Sequence, residues 1–311
     1  MIEYFYYERI WRNMRSPDFR GLLWGLLGVA AFSLTLPATR AAVPELGVAF
    51  VFLGRVTGAG IAAALILLIA RQPLPQRGDW PGLIATSLGI VLGFPLLTTL
   101  ALMYVPASHG AVVVGLLPIS TAVAGAVLAG ERPSAGFWLA SSAATAIVLA
   151  FIVQSSGARL SLPDAALIGA VIAAACGYAK GGQLAARLGS WQVICWSLVI
   201  ALPANAIASI LFVSFPQQHV AATAWTGFAY VTLVSQLTGF FAWYYGLALG
   251  GIARVSQMQL FQLFFTLATS SLLLGETIDG RILIYGTAVV ITVAIGARAR
   301  ILRTTPSHAA T

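Results

Sequence analysis

Charge is what this chain has least of. Asp, Glu, Lys and Arg together make up 8% of its 311 residues, against about 25% in an ordinary soluble domain. Hydrophobic residues make up 59%, and mean hydropathy is +0.91. Such a composition excludes a soluble globular chain and leaves an integral membrane protein. Cysteine is nearly as scarce: Cys176 and Cys195 lie in apolar runs with no CxxC and no Cys/His partner. Neither a disulfide framework nor a metal site is expected, and nothing calls for a cofactor. Catalytic signatures are missing as well, since HExxH, GxSxG and GxxxxGK[ST] do not occur, which argues against an enzyme. The net charge of +8 comes from arginines scattered through short inter-span segments rather than gathered in a stripe, so nucleic acid is not an expected partner. None of the nine acidic residues falls in the middle of an apolar run, whereas proton-driven carriers usually relay through such groups. A downhill facilitator or exchanger is the expectation, with His109 and Lys180 leaving coupling open.

What is present is apolar length. A hydrocarbon core of about 30 Å needs roughly 20 residues of helix, and runs of that kind fill the chain at 22–40, 47–70, 81–103, 108–130, 135–154, 164–187, 190–213, 221–247, 254–274 and 281–299. The fold expected is all-α and integral to the bilayer, with ten transmembrane helices. Residues 1–20 mix charges with aromatics, so no cleavable leader is expected there. With the N-terminus inside, twelve arginines fall on the inner segments and only Arg40, Arg159 and Arg281 on the outer ones, which orients both termini to the cytoplasm. Trp24, Trp80, Trp138 and Trp191 open alternate spans on that inner side, as interfacial anchors do.

An internal repeat is visible. "LAGERPSAGFWLASSAATAIVLAF", from Leu128, and "LLGETIDGRILIYGTAVVITVAIG", from Leu273, share a Gly-Glu turn at an offset of 145 residues. Two five-span halves follow, residues 21–155 and 156–303, with short segments 1–20 and 304–311 outside them. Five is odd, so the second half is expected to enter the membrane from the opposite face, as in carriers that present a midplane site alternately to each side.

The segment "ASHGAVVVGLLPISTAVAGAVLAGE", Ala107 to Glu131, resembles the fourth helix of the drug/metabolite transporter superfamily, EamA type, with its mid-span proline (Pro118) and terminal Gly-Glu. The second Gly-Glu, Gly275 and Glu276, and the paired halves extend the resemblance over nearly the whole chain. It implies a multi-pass exporter of the bacterial inner membrane that works as a monomer on a small-molecule substrate. Solutes of the superfamily range from amino acids to nucleotide sugars, and the ten-helix form is similar to that of amino-acid exporters. It also implies a cavity between helices 1, 3, 4, 6, 8 and 9. One departure is that Leu263, beside Gln262, stands where Pro118 would repeat.

Candidate site residues lie on those helices. Lys180 is the only lysine in the chain and sits inside the run from Ala165 to Ala186. A charge there costs about 2.5–3.5 kcal/mol to insert. With Cys176, Gln183 and Arg187 it forms a polar stripe at helical spacing. It attracts the anionic group of a solute, snorkels inward, or bonds backbone carbonyls. Tyr178, Gln236, Trp243, Gln259, Gln262 and Thr98 complete the expected substrate-binding set, and Pro95 and Pro118 are candidate hinges. Thr98 and Thr99 are expected to re-satisfy the carbonyls that Pro95 frees. Arg55, eight residues into a helix that is peripheral in the family, is expected to snorkel outward. His109 reads as interfacial, and Glu131 and Glu276 as capping residues.

Overall fold

The computed structural model describes residues 17–129, 132–155, 161–216, 219–298 and 301–302. Its helices run as α1 (Phe19–Leu46), α2 (Val48–Ile69), α3 (Arg77–Ala101), α4 (Ala107–Leu128), α5 (Ala135–Ser155), α6 (Leu162–Leu188) and α7 (Ser190–Phe212). Next comes α8, in three abutting stretches (Ala222–Tyr230, Val231–Thr238 and Gly239–Gly250), followed by α9 (Ile252–Val255, Ser256–Gln259 and Leu260–Leu274) and α10 (Gly280–Arg298). Six of these, α1 to α4, α6 and α7, are long and apolar enough to cross a bilayer, and α5 and α10 hold shorter apolar stretches. The expected all-α content is joined by one antiparallel bridge of two residues a side, β1 (Arg132–Pro133) with β2 (Ile301–Leu302).

Glycine sets the sharpest reversals. Gly47 between α1 and α2 has φ 79°, and Gly189 between α6 and α7 has φ 95°. Each ends one helix and starts the next without a loop, in a backbone region where a Cβ is strained. The first helix outruns its expected end at residue 40, continuing to Leu46, because Arg40 does not need water. Its Nη1 donates to the carbonyls of Leu102 (2.6 Å) and Met103 (3.1 Å).

Two seams of small residues hold the middle together. A Cβ on Gly21 would lie 2.5 Å from the Gly250 nitrogen, and one on Gly246 would lie 2.6 Å from that of Gly25, so α1 and α8 touch backbone to backbone. Between α3 and α6, a Cβ on Gly89 would come within 2.4 Å of the Ala173 carbonyl. Lipid tails are as apolar as side chains, so it is this close packing, rather than a hydrophobic drive, that holds membrane helices together.

Two helices also contain π-helix, α3 at Ser87–Gly93 and α8 at Val231–Thr238. Shifting Gly93 by the 145-residue offset of the sequence repeat lands on Thr238, the last residue of the second π stretch. A π turn widens the helix and leaves backbone carbonyls with altered partners, an arrangement concentrated at functional sites.

Candidate functional site

Arg55 marks the interior. Asn205 of α7 donates from Nδ2 to the Leu53 carbonyl and the Thr57 hydroxyl, both at 2.8 Å, and Thr57 shares a 2.9 Å hydrogen bond with Ser209. These contacts fix the face of α2 that carries residues 53 and 57 against α7. Gly54 and Gly58 meanwhile let α8 approach, since a Cβ at either would lie 2.9 Å from Phe228 or Thr232. Arg55 is consequently turned inward and is 1% exposed. Its Nη2 donates to Ser235 Oγ at 3.3 Å, and that hydroxyl shares a 2.8 Å hydrogen bond with Thr35 of α1. Nε and Nη1 have no partner among the described residues. The expected snorkelling of Arg55 is thus overturned: the helix is peripheral, but the guanidinium is not.

The space before it is lined by Thr35, Phe94, Tyr178, Gln236, Phe240 and Gln262, among others, with a free volume of about 10 Å³. Around it the aromatic rings pack closely at tilted angles, Tyr178 to Trp243 at 5.3 Å and Phe32 to Phe240 at 4.8 Å between centroids.

Prolines explain the neighbouring glutamine. Pro95 has no N–H for the carbonyls of Ile90 and Val91, one π turn and one α turn before it. Gln236 Nε2, reaching across from α8, stands 3.4 Å from each. The Thr98 and Thr99 hydroxyls, expected to fill that role, bond Phe94 (2.7 Å) and Pro95 (2.5 Å) carbonyls of their own helix instead, because a threonine back-bonds only three or four residues along its helix. The same device recurs in α1, where Pro37 interrupts the helix near Leu34 and the Thr266 hydroxyl of α9 donates to the freed Ser33 carbonyl at 2.9 Å. In both cases a side chain from one half of the chain repairs a break in the other. Pro118 stands just after the turn at Gly115 and Leu116 that divides α4.

The remaining expected residues divide into two groups. Gln236, Gln262 and Tyr178 line the space at Arg55, and Trp243 packs on Tyr178. Gln262 Oε1, both amide atoms of Gln259 and the Trp243 indole N–H are buried without partners among the described residues. Lys180 and Gln183 lie elsewhere. They share the stripe of Cys176, whose side chain lines an open, apolar groove of about 680 Å³ between α4, α5 and α6. Gln183 Nε2 approaches the Leu128 carbonyl at 3.5 Å, and Arg187 pairs with Asp79. Lys180 is half-buried and makes no hydrogen bond or ion pair among the described residues.

At the end of the bundle away from Asp79, His109 is 9% exposed and lines a pocket of about 570 Å³ with Ser108, Phe151 and Glu276. Its Nε2 lies 2.8 Å from Oδ1 of Asp164, a fully buried carboxylate that also holds the Ser161 cap of α6. Glu276 accepts the Ala107 and Ser108 N–H groups of α4, both at 2.9 Å, so it caps as expected; Glu131 lies outside the described residues. The sequence reading missed Asp164, whose partner His109 lies 55 residues away. Arg55 had a signal: "GRVTGAG" (54–60) places small residues on several sides of it, the mark of a turn packed against helices rather than lipid.

No group of three or more His, Cys, Asp or Glu that could hold a metal occurs among the described residues. The arrangement is that of a polytopic membrane protein with polar groups stored in its interior. The model of the EamA-like transporter family matches twice, over residues 19–153 and 162–297, and the chain belongs to that family. It is similar to an uncharacterized transporter, YdeK, of Bacillus subtilis, at 41% identity over 89% of this chain and 97% of that protein. It is also 26% identical to a probable terminal-alkyne amino-acid exporter of Streptantibioticus cattleyicolor, over 73% of this chain and 76% of the other. A solved crystal structure superposes with a TM-score of 0.61 at 18% identity, covering 88% of this chain and 95% of its own, a likeness of fold alone. Transport, not catalysis, is the business of this family.

Proposed function

We propose that this protein exports small metabolites, amino acids foremost, from the bacterial cytoplasm by alternating access between two inverted five-helix repeats. All ten helices cross the inner membrane, both termini face the cytoplasm, and the protein acts as a monomer without a cofactor. The observation that carries this reading is the store of buried polar atoms without partners among the described residues on Arg55, Gln262, Gln259 and Trp243. Buried polar atoms without partners cost about 1–3 kcal/mol each, a cost that a polar guest would offset. The double family match, the two π stretches at the repeat offset and the amino-acid exporter among the relatives all support it. Pro95 and Pro118 serve as hinges, and Thr98 contributes to solute binding beside the first. Lys180 and Gln183, nearer the cytoplasmic end of α6, draw in the solute's anionic group.

Counterflow of radiolabelled amino acids, sugars and nucleotides by the purified protein in liposomes tests this reading. Exchange of amino acids is expected. Exchange confined to sugars, nucleotides or cationic drugs would move the protein to another solute class, and binding without any exchange would make it a receptor.

A further inference from the structure

We infer that Arg55 is an anion-binding residue of the central cavity and takes the carboxylate of the solute. The inference rests on the transport reading above and specifies the group recognised at that site. A guanidinium presents five N–H donors in a planar fork suited to a carboxylate. Here only Nη2 is engaged, by a neutral hydroxyl, while Nε and Nη1 are buried without partners among the described residues. Unpaired buried charge is strongly unfavourable, and neither Asp nor Glu lines this space. What is missing among the described residues is one anion, and a solute can supply it.

The rest of the lining suits an amino acid. Gln262 Oε1 is an unpartnered acceptor in the same space and fits an ammonium N–H. Phe32, Ile90, Phe94 and Phe240 offer an apolar and aromatic wall to an aliphatic body. A free volume of about 10 Å³ holds at most one water, so the conformation described is collapsed around the empty fork and must part to admit a solute. The space is bounded by α3 and α8 at their π stretches, through Ile90, Ser235 and Gln236.

Three probes of one shape test the inference: L-norleucine, hexanoate and L-norleucinamide, given to the full-length protein in liposomes. Norleucine counterflow by the wild type should be inhibited by hexanoate, and norleucinamide, which keeps the ammonium but has no carboxylate, should compete at least tenfold more weakly. Arg55→Met should raise the norleucine half-saturation about tenfold or more, and Arg55→Lys should recover part of it, since an ammonium keeps the charge and loses the fork. Norleucinamide competing as well as norleucine on the wild type overturns the inference, with no mutant needed. So does Arg55→Met with a half-saturation within twofold of wild type, which would leave Arg55 bonded to a trapped water and amino-acid export intact. Exchange of hexanoate but not norleucine would keep the Arg55 site and remove the amino-acid reading. A wild type that handles neither carboxylate overturns both.

Discussion

Two cations lie within apolar runs of this chain, and their fates differ. Lys180 is alone in its kind and stands in a polar stripe, yet the structure leaves it half-buried and outside the lining of the space at Arg55. Arg55 has no polar stripe, and its guanidinium is sealed at 1% exposure against Ser235, with Thr35 one hydrogen bond further on. The difference lies in what surrounds each helix. One side of α6 faces the groove, whereas α2 at residues 53–60 is held by Asn205 and Ser209 on one side and admits α8 through Gly54 and Gly58 on the next. A long cationic side chain takes water where water is in reach. Where neighbours close every route, it must look inward.

The contrast can be broken most sharply by labelling. In a variant with Cys176 and Cys195 replaced by serine, Lys180→Cys should react with a water-soluble maleimide about tenfold or more faster than Arg55→Cys, because reaction with a sealed site waits for local opening. Equal rates would mean that Arg55 is not sealed. The next effect is on affinity: Lys180→Met should raise the half-saturation for a carboxylate-bearing amino acid by about threefold, since a partly screened charge is worth about 0.6 kcal/mol. That is well short of the change expected for Arg55→Met, and a reversal of the order, read from counterflow titrations, would return the anion site to Lys180.

Smaller effects test the frame around Arg55. Gln262→Leu should lower the rate of amino-acid counterflow a few-fold while leaving the amount of folded protein in the membrane unchanged, since its Oε1 is unpartnered now. Loss of folded protein instead would make Gln262 a packing residue. Gln236→Leu should do the opposite, destabilising the detergent-purified protein by about 1 kcal/mol as a few-degree fall in Tm, because the carbonyls of Ile90 and Val91 lose their donor. An unchanged melting curve would show that these carbonyls are satisfied in another way.

The outline of the fold was legible in the residues. Runs of apolar length and Gly, Pro and Arg breaks placed most helix ends to within a few residues, the end of α1 excepted, and the family model matches over two stretches, 19–153 and 162–297. Glu276 was legible as a cap, but not the helix it caps: the N–H groups it accepts belong to α4, 168 and 169 residues away. The site was legible only in part. Gln236, Gln262 and Tyr178 do gather in one place, but Gln236 is engaged in repairing Pro95, and the cation beside them is not the one that stood out. Asp164 and His109 are 55 residues apart in sequence, and no periodicity joins them.

By itself the sequence determined the solvent and the helices, because hydrocarbon demands apolar length and satisfied backbone from each segment independently. Which way each helix turns was decided only by the tertiary structure. In a soluble protein the apolar stripe of a helix points to the core, but a helix in a bilayer is apolar towards both lipid and protein, so its composition carries little record of its facing. The direction of Arg55 was settled by three local matters of contact: an asparagine from α7, two glycines that admit α8, and a serine whose hydroxyl the guanidinium can reach.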